Sequence, residues 1–257
     1  MFLSGELNAI ELELKTEDQK IIEGQTVDLR TAQVQPTGVT LLREVRVGED
    51  SCPSAACQIG PNTYVGFANG VIKKIQLSNG SIGNFAALKA PITGMSACKA
   101  KIYCLQSQTG YVTVLNLSGG VSGQLIINKT GAGNDMVIVG NKLVVSNKAT
   151  QVLHVYSIAG NFLRWIKCLQ WTQKVVISMV ACGEDSVILC DTASQRVMRV
   201  NVNTGNVLWN TTKIAAPLSV TLCGGKVIVM TSGPKPEARF LDPNRGSSVY
   251  SKCHMVY

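Results

Sequence analysis

Acidic side chains are scarce in most of this 257-residue chain. From residue 51 onward there are six carboxylates, and none lies between Ser51 and Asn134. Carboxylate ligands for a divalent cation have to converge on one ion. Glu184 and Asp185 share a predicted hairpin turn, and the other four are spread over separate strands and loops: Asp135, Asp191, Glu237 and Asp242. The sequence therefore predicts no metal site.

The two histidines offer no better basis for catalysis. His154 lies on a predicted strand and His254 lies near the C-terminus. No motif places an aspartate and a serine beside either of them, as a catalytic triad requires. The glycine-rich stretch GAGND, residues 131–135, lacks a following helix and a Lys-Ser/Thr pair, so it is a weak phosphate cradle. We expect no catalytic residue, no cofactor and no small-molecule substrate.

Nine cysteines are scattered through the chain, and an odd number in a long chain is typical of free thiols rather than of a disulfide framework. There is no basic N-terminal start followed by a continuous apolar segment, and no apolar run is long enough to cross a bilayer as a helix. We expect a cytoplasmic protein that does not act in a membrane.

A repeat of about 41 residues runs through the chain. The residue that closes the first predicted strand of each copy recurs in steps of 41, 42, 42 and 41, at Cys57, Cys98, Gly140, Cys182 and Cys223. A glycine after the third predicted strand recurs in steps of 40, 40, 45 and 41. The recurrent cysteines are too far apart around an axis to share one zinc ion, so we interpret them as small residues packing at strand ends.

Each copy contains four short apolar runs bounded by Gly, Asn and Ser, a pattern that predicts four strands joined by tight turns. A single four-stranded sheet leaves both faces wet, whereas sheets packed around a common axis cover each other. The period therefore predicts an all-β fold, a β-propeller with five visible blades. A β-sandwich does not explain the regular period, and a helical solenoid requires 3.6-residue apolar spacing, which is absent.

The phase of the repeat leaves the number of blades open. Residues 40–47, TLLREVRV, precede the first inner strand as an outermost strand does in later copies. We expect this segment to be a donated outermost strand. Five copies and one such strand fit either a six-bladed ring that lacks most of one blade or a five-bladed ring with a spare strand.

Residues 1–36 differ from the repeats, and we treat residues 37–257 as the propeller. Leu3, Leu7, Ile10, Leu14 and Ile21 have coiled-coil spacing, which favours a short helix. The alternation of IELEL equally favours an edge strand. The stretch QVQPTG then has the composition of a linker.

The stretch VILCDTASQRVMRV, residues 187–200, resembles the second and third strands of an NHL repeat. Asp191 would open the turn, and Gln195, Arg196 and Val197 stand where that family has a polar residue, an arginine and a β-branched residue. The segments APITGMSAC and APLSVTLC resemble its inner strand. The resemblance implies a propeller usually of six blades, which follows a coiled coil in tripartite-motif proteins and binds RNA in some members.

Only the fourth copy approaches the NHL motif. The other copies have an amide or a hydroxyl at the aspartate position: Asn147, Asn69, Ser107 and Ser232. The turn NTGNVLW is also similar to quinoprotein-like propeller repeats, a second candidate kinship. No paired Cys/His spacing of a RING or B-box zinc module occurs in the sequence.

Charge is divided unevenly between the two parts of the chain. Residues 1–50 hold 5 Lys and Arg against 10 Asp and Glu, whereas residues 51–257 hold 19 against 6. A basic propeller favours anionic partners. Predicted loops on one face carry seven cations and an aromatic ring able to stack on a base: Lys89, Lys129, Lys148, Lys174, Arg196, Lys213, Lys235 and Trp171.

These features predict a non-enzymatic interaction module. The favoured hypothesis is a protein-protein scaffold, or the substrate-recognition domain of a tripartite-motif-like protein. Single-stranded RNA binding through the basic loop face is the alternative, and a propeller enzyme is a third possibility.

Overall fold

The computed structural model describes residues 9–16, 36–45, 47–48, 51–106, 108–127, 133–147, 152–167, 176–232 and 236–254. The chain forms two compact units, Met1–Gly48 and Glu49–Tyr257. The described residues contain strands and turns and no helix, so none of them forms a helix able to span a membrane.

In the first unit, β1 (Ala9–Thr16) pairs antiparallel with β2 (Pro36–Val45) in a two-stranded sheet. The strand alternative for IELEL is therefore correct over Ala9–Thr16, and the helix expected from the heptad spacing is wrong there. Alternating charged and apolar residues match the two-residue period of a strand, and this pattern outweighs the seven-residue spacing. The proposed domain boundary at residue 36 stays a prediction.

The second unit is a β-propeller of five four-stranded antiparallel blades arranged in a ring. Blade 1 consists of β3 (Pro53–Ile59), β4 (Asn62–Phe67), β5 (Val71–Gln76) and β6 (Ile82–Ala87). Blade 2 consists of β7 (Gly94–Cys98), β8 (Lys101–Gln106), β9 (Tyr111–Leu115) and β10 (Val121–Ile126). Blade 3 consists of β11 (Gly133–Val139), β12 (Lys142–Asn147), β13 (Val152–Ser157) and β14 (Phe162–Ile166). Blade 4 consists of β15 (Val176–Cys182), β16 (Ser186–Asp191), β17 (Arg196–Asn201) and β18 (Val207–Thr212), and blade 5 of β19 (Pro217–Cys223), β20 (Lys226–Thr231), β21 (Glu237–Leu241) and β22 (Ser248–His254).

Every blade is built from consecutive strands, because tight turns join each strand to its neighbour. The expectation that residues 40–47 supply an outermost strand to a blade is wrong. Strand β2 pairs with β1, and β22 is the fourth strand of blade 5. Apolar alternation specifies that a segment forms a strand, but any exposed edge can serve as its partner.

The core lies between blades rather than within them. Between blades 4 and 5, for example, Ile188 and Cys190 pack with Val220 and Val229. Similar clusters of buried residues lie between blades 1 and 2, 2 and 3, and 3 and 4. Each sheet thus covers the face of its neighbour, which is the physical reason for the repeat.

Inner strands of successive blades also exchange polar contacts. The backbone N–H of Ile138 in blade 3 donates to Ser96 Oγ in blade 2 over 3.1 Å, and the N–H of Val220 in blade 5 donates to Ser178 Oγ in blade 4 over 3.2 Å. We call these contacts inner-strand clamps. Two further clamps involve Ser54 and Asp135. Ser54 on the inner strand of blade 1 donates to the carbonyl of Ile92, which precedes β7 of blade 2, and Asp135 of blade 3 accepts from the N–H of Met179 in blade 4.

The described inner strands of blades 5 and 1 do not share the packing seen between successive blades. Inner strands β3, β7, β11, β15 and β19 pack one against the next in chain order. Among the described strands, β19 and β3 do not pack against each other to a comparable extent. Ser219 and Thr221 of β19 are exposed, although their counterparts in blades 4 and 2, Ser178 and Ser96, form clamps.

Candidate interaction surfaces

The turn between β16 and β17 begins at Asp191. Asp191 ends β16, is 1% exposed, and its Oδ1 accepts a hydrogen bond from the backbone N–H of Ser194 over 3.0 Å. An aspartate that caps a tight turn in this way orders the chain reversal. Gln195 occupies the left-handed region with a φ of 53°, and Arg196 begins β17 as the cross-strand neighbour of Asp191.

The structure places three of the predicted loop-face residues. Lys213 follows β18 and is exposed, and Arg196 is the cross-strand neighbour of the preceding residue, Thr212. These two cations therefore lie at the same end of blade 4. Lys89 is exposed in the connection between β6 and β7, which is the corresponding end of blade 1 because all blades share one strand order. Five predicted site residues lie outside the described residues: Lys129, Lys148, Lys174, Lys235 and Trp171.

Five of the six described carboxylates of the propeller take part in structural contacts, and Glu184 is exposed in the turn between β15 and β16. Asp135 forms an inner-strand clamp with Met179, and Asp191 caps a turn. Asp242 Oδ1 accepts hydrogen bonds from the backbone N–H groups of Asn244 and Arg245 in the last turn of blade 5. The remaining contacts are hydrogen bonds or ion pairs between side chains: Asp185 with Asn201 at 2.8 Å, and Glu237 with Arg239 at 3.3 Å.

His154 is half-buried on β13, and its Nδ1 lies 3.3 Å from the hydroxyl oxygen of Tyr156. Burial lowers the pKa of the imidazole because the charged form loses its hydration. Within the described part of the chain, no three His, Cys, Asp or Glu side chains are grouped so that they could hold a metal ion.

The recurrent cysteines behave as packing residues at three of four positions. Cys182 is buried in the core between blades 4 and 5, while Cys57 and Cys98 pack against cores from half-buried positions. Cys223 is exposed, so the packing interpretation is wrong there. Seven cysteines are free thiols in the structure: Cys52, Cys57, Cys98, Cys104, Cys182, Cys190 and Cys223.

Sequence reasoning missed a group of aromatic side chains at the outer rim of blade 3. We call this group the rim aromatic cluster: His154, Tyr156, Phe162 and Trp165. Trp165 is 69% exposed and Phe162 is 50% exposed. The run NFLRWI, residues 161–166, could have indicated this cluster. It is rich in apolar residues, and an outermost strand, with a neighbouring strand on one edge only, leaves part of them exposed to solvent.

Comparisons of the sequence with known proteins give no family. No family model matches the chain, and no curated protein is significantly similar to it.

Solved structures share the propeller fold. A crystal structure of a nidogen/laminin complex has a TM-score of 0.66 at 11% identity, covering 84% of this chain and 84% of that chain. A crystal structure of the Mitotic Checkpoint Complex has a TM-score of 0.60 at 11% identity, covering 83% of this chain and 68% of that chain. The WD40 β-propeller domain of Doa1 has a TM-score of 0.56 at 9% identity, covering 79% and 82%. At these identities the likeness shows the fold alone.

Proposed function

We propose that the propeller unit, Glu49–Tyr257, is a non-catalytic protein-binding module. The observation that carries the proposal is the set of large apolar side chains exposed on outermost strands: Val121 and Ile126 at 60%, Phe162 at 50% and Trp165 at 69%. The rings of Phe162 and Trp165 adjoin each other, with centroids 5.7 Å apart, and contiguous exposed apolar surface is typical of interaction sites. The structural contacts of five of the six described carboxylates support a non-enzymatic role.

Two of the similar propellers belong to crystal structures of protein complexes, the Mitotic Checkpoint Complex and the nidogen/laminin complex. Those names support a protein partner for this chain as well. At a finer level, we propose an NHL-like recognition domain of a tripartite-motif-like protein, supported by the Asp191 turn and by Arg196 at the start of β17. The free thiols support a reducing compartment such as the cytoplasm.

Affinity capture followed by reconstitution tests the protein-binding proposal. The purified full chain is used as bait in cell extract with and without ribonuclease, and captured proteins are then purified and titrated by calorimetry. We expect at least one captured protein to bind directly with a micromolar or lower Kd. If every capture depends on RNA, or no purified candidate binds, the proposal is wrong.

Single-stranded RNA binding through the loop face is the second candidate. It is favoured by the exposed Lys89 and Lys213 and by the position of Arg196 at the same end of blade 4. Phosphate neutralisation by these cations would make the affinity fall steeply with salt.

Charge reversal separates this candidate from the first. The double variant Lys89→Glu/Lys213→Glu should weaken binding of a labelled single-stranded RNA measured by fluorescence anisotropy. Lys101→Glu makes the same type of charge change at an exposed residue that begins β8, at the opposite end of a blade, and should have a smaller effect. Absence of binding at physiological salt would eliminate the RNA candidate.

A further inference from the structure

The rim aromatic cluster extends from the interior to the solvent. Tyr156 is 4% exposed and its hydroxyl donates to the backbone carbonyl of Ile127. Its ring centroid lies 5.6 Å from that of Phe162, which in turn lies 5.7 Å from that of Trp165. The interior end is thus fixed by a hydrogen bond and by packing, and the outer end presents two aromatic rings in a defined geometry.

The register of blade 3 shows which way these rings face. Tyr156 is the cross-strand neighbour of both Leu143 and Phe162, and His154 is the neighbour of Trp165. Leu143 and Tyr156 pack in the core between blades 2 and 3. Side chains of cross-strand neighbours share a sheet face. The cluster therefore lies on the face of blade 3 that is turned toward blade 2.

The opposite wall contains an open position. Gly123 on β10 is the cross-strand neighbour of Val114, which packs in the same core, so Gly123 faces blade 3. No atom lies within 4 Å of the place that a Cβ on Gly123 would occupy. We call the space between Gly123 and the rings of Phe162 and Trp165 the rim notch.

Strand β14 also offers hydrogen-bonding groups. It is the last strand of the order β11-β12-β13-β14, so its outer edge pairs with no described strand of that sheet. An exposed edge presents a row of N–H and C=O groups that another chain in extended conformation can pair with.

The exposed charges on β14 and directly after it are positive: Arg164 and Lys167. Arg164 lies on the face of β14 opposite to the rings, because its cross-strand neighbour Val155 packs in the core between blades 3 and 4. Asp135 is the only carboxylate between residues 94 and 167, and it belongs to the inner strand β11 rather than to the rim. In an extended peptide paired with β14, the residues next to the anchor point to the face that carries Arg164. Carboxylates at those positions would therefore meet complementary charge.

We propose that the rim notch binds an extended, acidic peptide segment of a protein partner. An aromatic or aliphatic side chain of the peptide fills the space between Gly123 and the rings of Phe162 and Trp165, and the peptide backbone pairs with the edge of β14. Acidic residues beside the anchor face Arg164 and Lys167. This inference rests on the proposed protein-binding function and names the surface and the chemistry of the ligand.

The observations favour a peptide over a nucleic acid. A nucleic acid could stack on the two rings, but its backbone cannot pair with the strand edge. A notch with one missing side chain suits insertion of a single apolar side chain, which is how pockets anchor peptides on sheet edges.

Selection from a library of random 12-residue peptides displayed on phage, with the full chain as target, tests the proposal. We expect enrichment of peptides that combine Trp, Phe or Leu with Asp or Glu. Synthetic versions should bind Trp165→Ala and Gly123→Leu at least tenfold more weakly than the unaltered chain. Arg164→Glu should weaken acidic peptides selectively.

The variants are chosen so that loss of folding does not explain loss of binding. Trp165 is largely exposed, and the Cβ space at Gly123 is open, so both variants should keep the melting temperature of the unaltered chain. Leu208→Ala removes another exposed apolar residue, 48% exposed, from the outermost strand of blade 4 and serves as the matched control. Its peptide affinity should be unchanged.

Three outcomes would overturn the inference. The first is a selection that yields no enriched peptides. The second is that the enriched peptides bind Trp165→Ala and Gly123→Leu as tightly as the unaltered chain. The third outcome is that Trp165→Ala loses affinity for single-stranded RNA while peptide binding is unaffected. In each case, a purified partner that still binds the chain directly would leave the broader protein-binding proposal standing.

Discussion

Asp135 on the inner strand of blade 3 accepts a hydrogen bond from the backbone N–H of Met179 on the inner strand of blade 4, with an N···O distance of 2.7 Å. The other carboxylate oxygen of Asp135 accepts from the backbone N–H of Met136, also at 2.7 Å. This is the only clamp among the described inner strands that uses an ionisable side chain; the other three use serine.

The Asp135 clamp should make stability depend on pH. Burial raises the pKa of this carboxyl from 3.8 to about 7, although the two N–H donors oppose the shift. Between these two values the folded chain holds a proton that the unfolded chain has lost. Stability therefore falls as the pH rises from about 4 to about 7, by at most about 1.4 kcal/mol per pH unit from this group.

Urea denaturation at several pH values checks this prediction. Asp135→Asn cannot titrate, so its free energy of unfolding should fall less than that of the unaltered chain between pH 4.5 and 6.5. Ser178→Ala removes a clamp without an ionisable group and should keep the original slope. Parallel curves for Asp135→Asn and the unaltered chain would contradict the assignment.

Gly246 should not tolerate a side chain. Its φ is +67°, and a Cβ there would lie 2.5 Å from the ring of Trp209 in blade 4. Trp209 cannot easily move, because it is 8% exposed and its Nε1 donates to the carbonyl of Pro243 over 2.8 Å. We expect Gly246→Ala to lower the free energy of unfolding by about 2 kcal/mol or more.

Gly225 provides the control for backbone strain alone. Its φ is +70°, and nothing lies within 4 Å of its would-be Cβ. Gly225→Ala should cost about 1 kcal/mol. The difference between the two variants in thermal or urea unfolding measures the clash with Trp209; equal costs would mean that the ring yields.

The cap of the blade 4 turn should be replaceable by asparagine but not by alanine. Asp191 Oδ1 accepts from Ser194, whereas Asp191 Oδ2 has no hydrogen-bond partner. Asn147 ends β12 at the corresponding position of blade 3. Asp191→Ala loses the cap and should lower the free energy of unfolding by about 1 kcal/mol, and Asp191→Asn should recover most of this loss. Urea denaturation midpoints, compared at a constant m-value, measure both variants. Equal losses of unfolding free energy in Asp191→Ala and Asp191→Asn would refute a capping role.

Thiol reactivity should follow burial. Cys52 and Cys223 are exposed, whereas Cys104 and Cys190 are fully buried. Burial raises the pKa of the Cys190 thiol to about 12 and that of Cys104 further, which leaves little reactive thiolate at neutral pH. Iodoacetamide labelling read out by peptide mass spectrometry should modify Cys52 and Cys223 first. Labelling of Cys104 or Cys190 in the folded chain at comparable rates would contradict the described core.

The blades could be predicted from the sequence because the contacts that define them are local. Cys182 pairs with Ser186 and Asp191 with Arg196, across turns of only a few residues. Apolar alternation and turn-forming residues encode such pairings directly. The same reasoning failed for residues 40–47, because the apolar alternation of a strand does not indicate which other strand it pairs with.

Two tryptophans show that local sequence does not determine the exposure of a side chain. Trp165 and Trp209 both lie on outermost strands in similar apolar runs, NFLRWI and NVLWN. Trp165 is 69% exposed, and Trp209 is 8% exposed because the last turn of blade 5 covers it. The rim notch was equally hidden from sequence reasoning, since its residues Gly123 and Phe162 belong to the outermost strands of two different blades.

The amino-acid sequence by itself determined the repeat, its five copies and the strand order within each of them, because hydrogen bonding between neighbouring strands joins residues close together in the chain. The choice between a five-bladed and a six-bladed ring was left to the tertiary structure. Only the tertiary structure decided which aromatic residues are exposed, which carboxylate joins two blades and where β2 pairs. The first two features depend on contacts between residues about 30 to 45 positions apart, such as Trp209 with Pro243 and Asp135 with Met179. Such contacts are set by the packing of whole sheets against each other. The pairing of β2 with β1 joins residues such as Thr16 and Pro36, and the alternation of either strand does not indicate its partner.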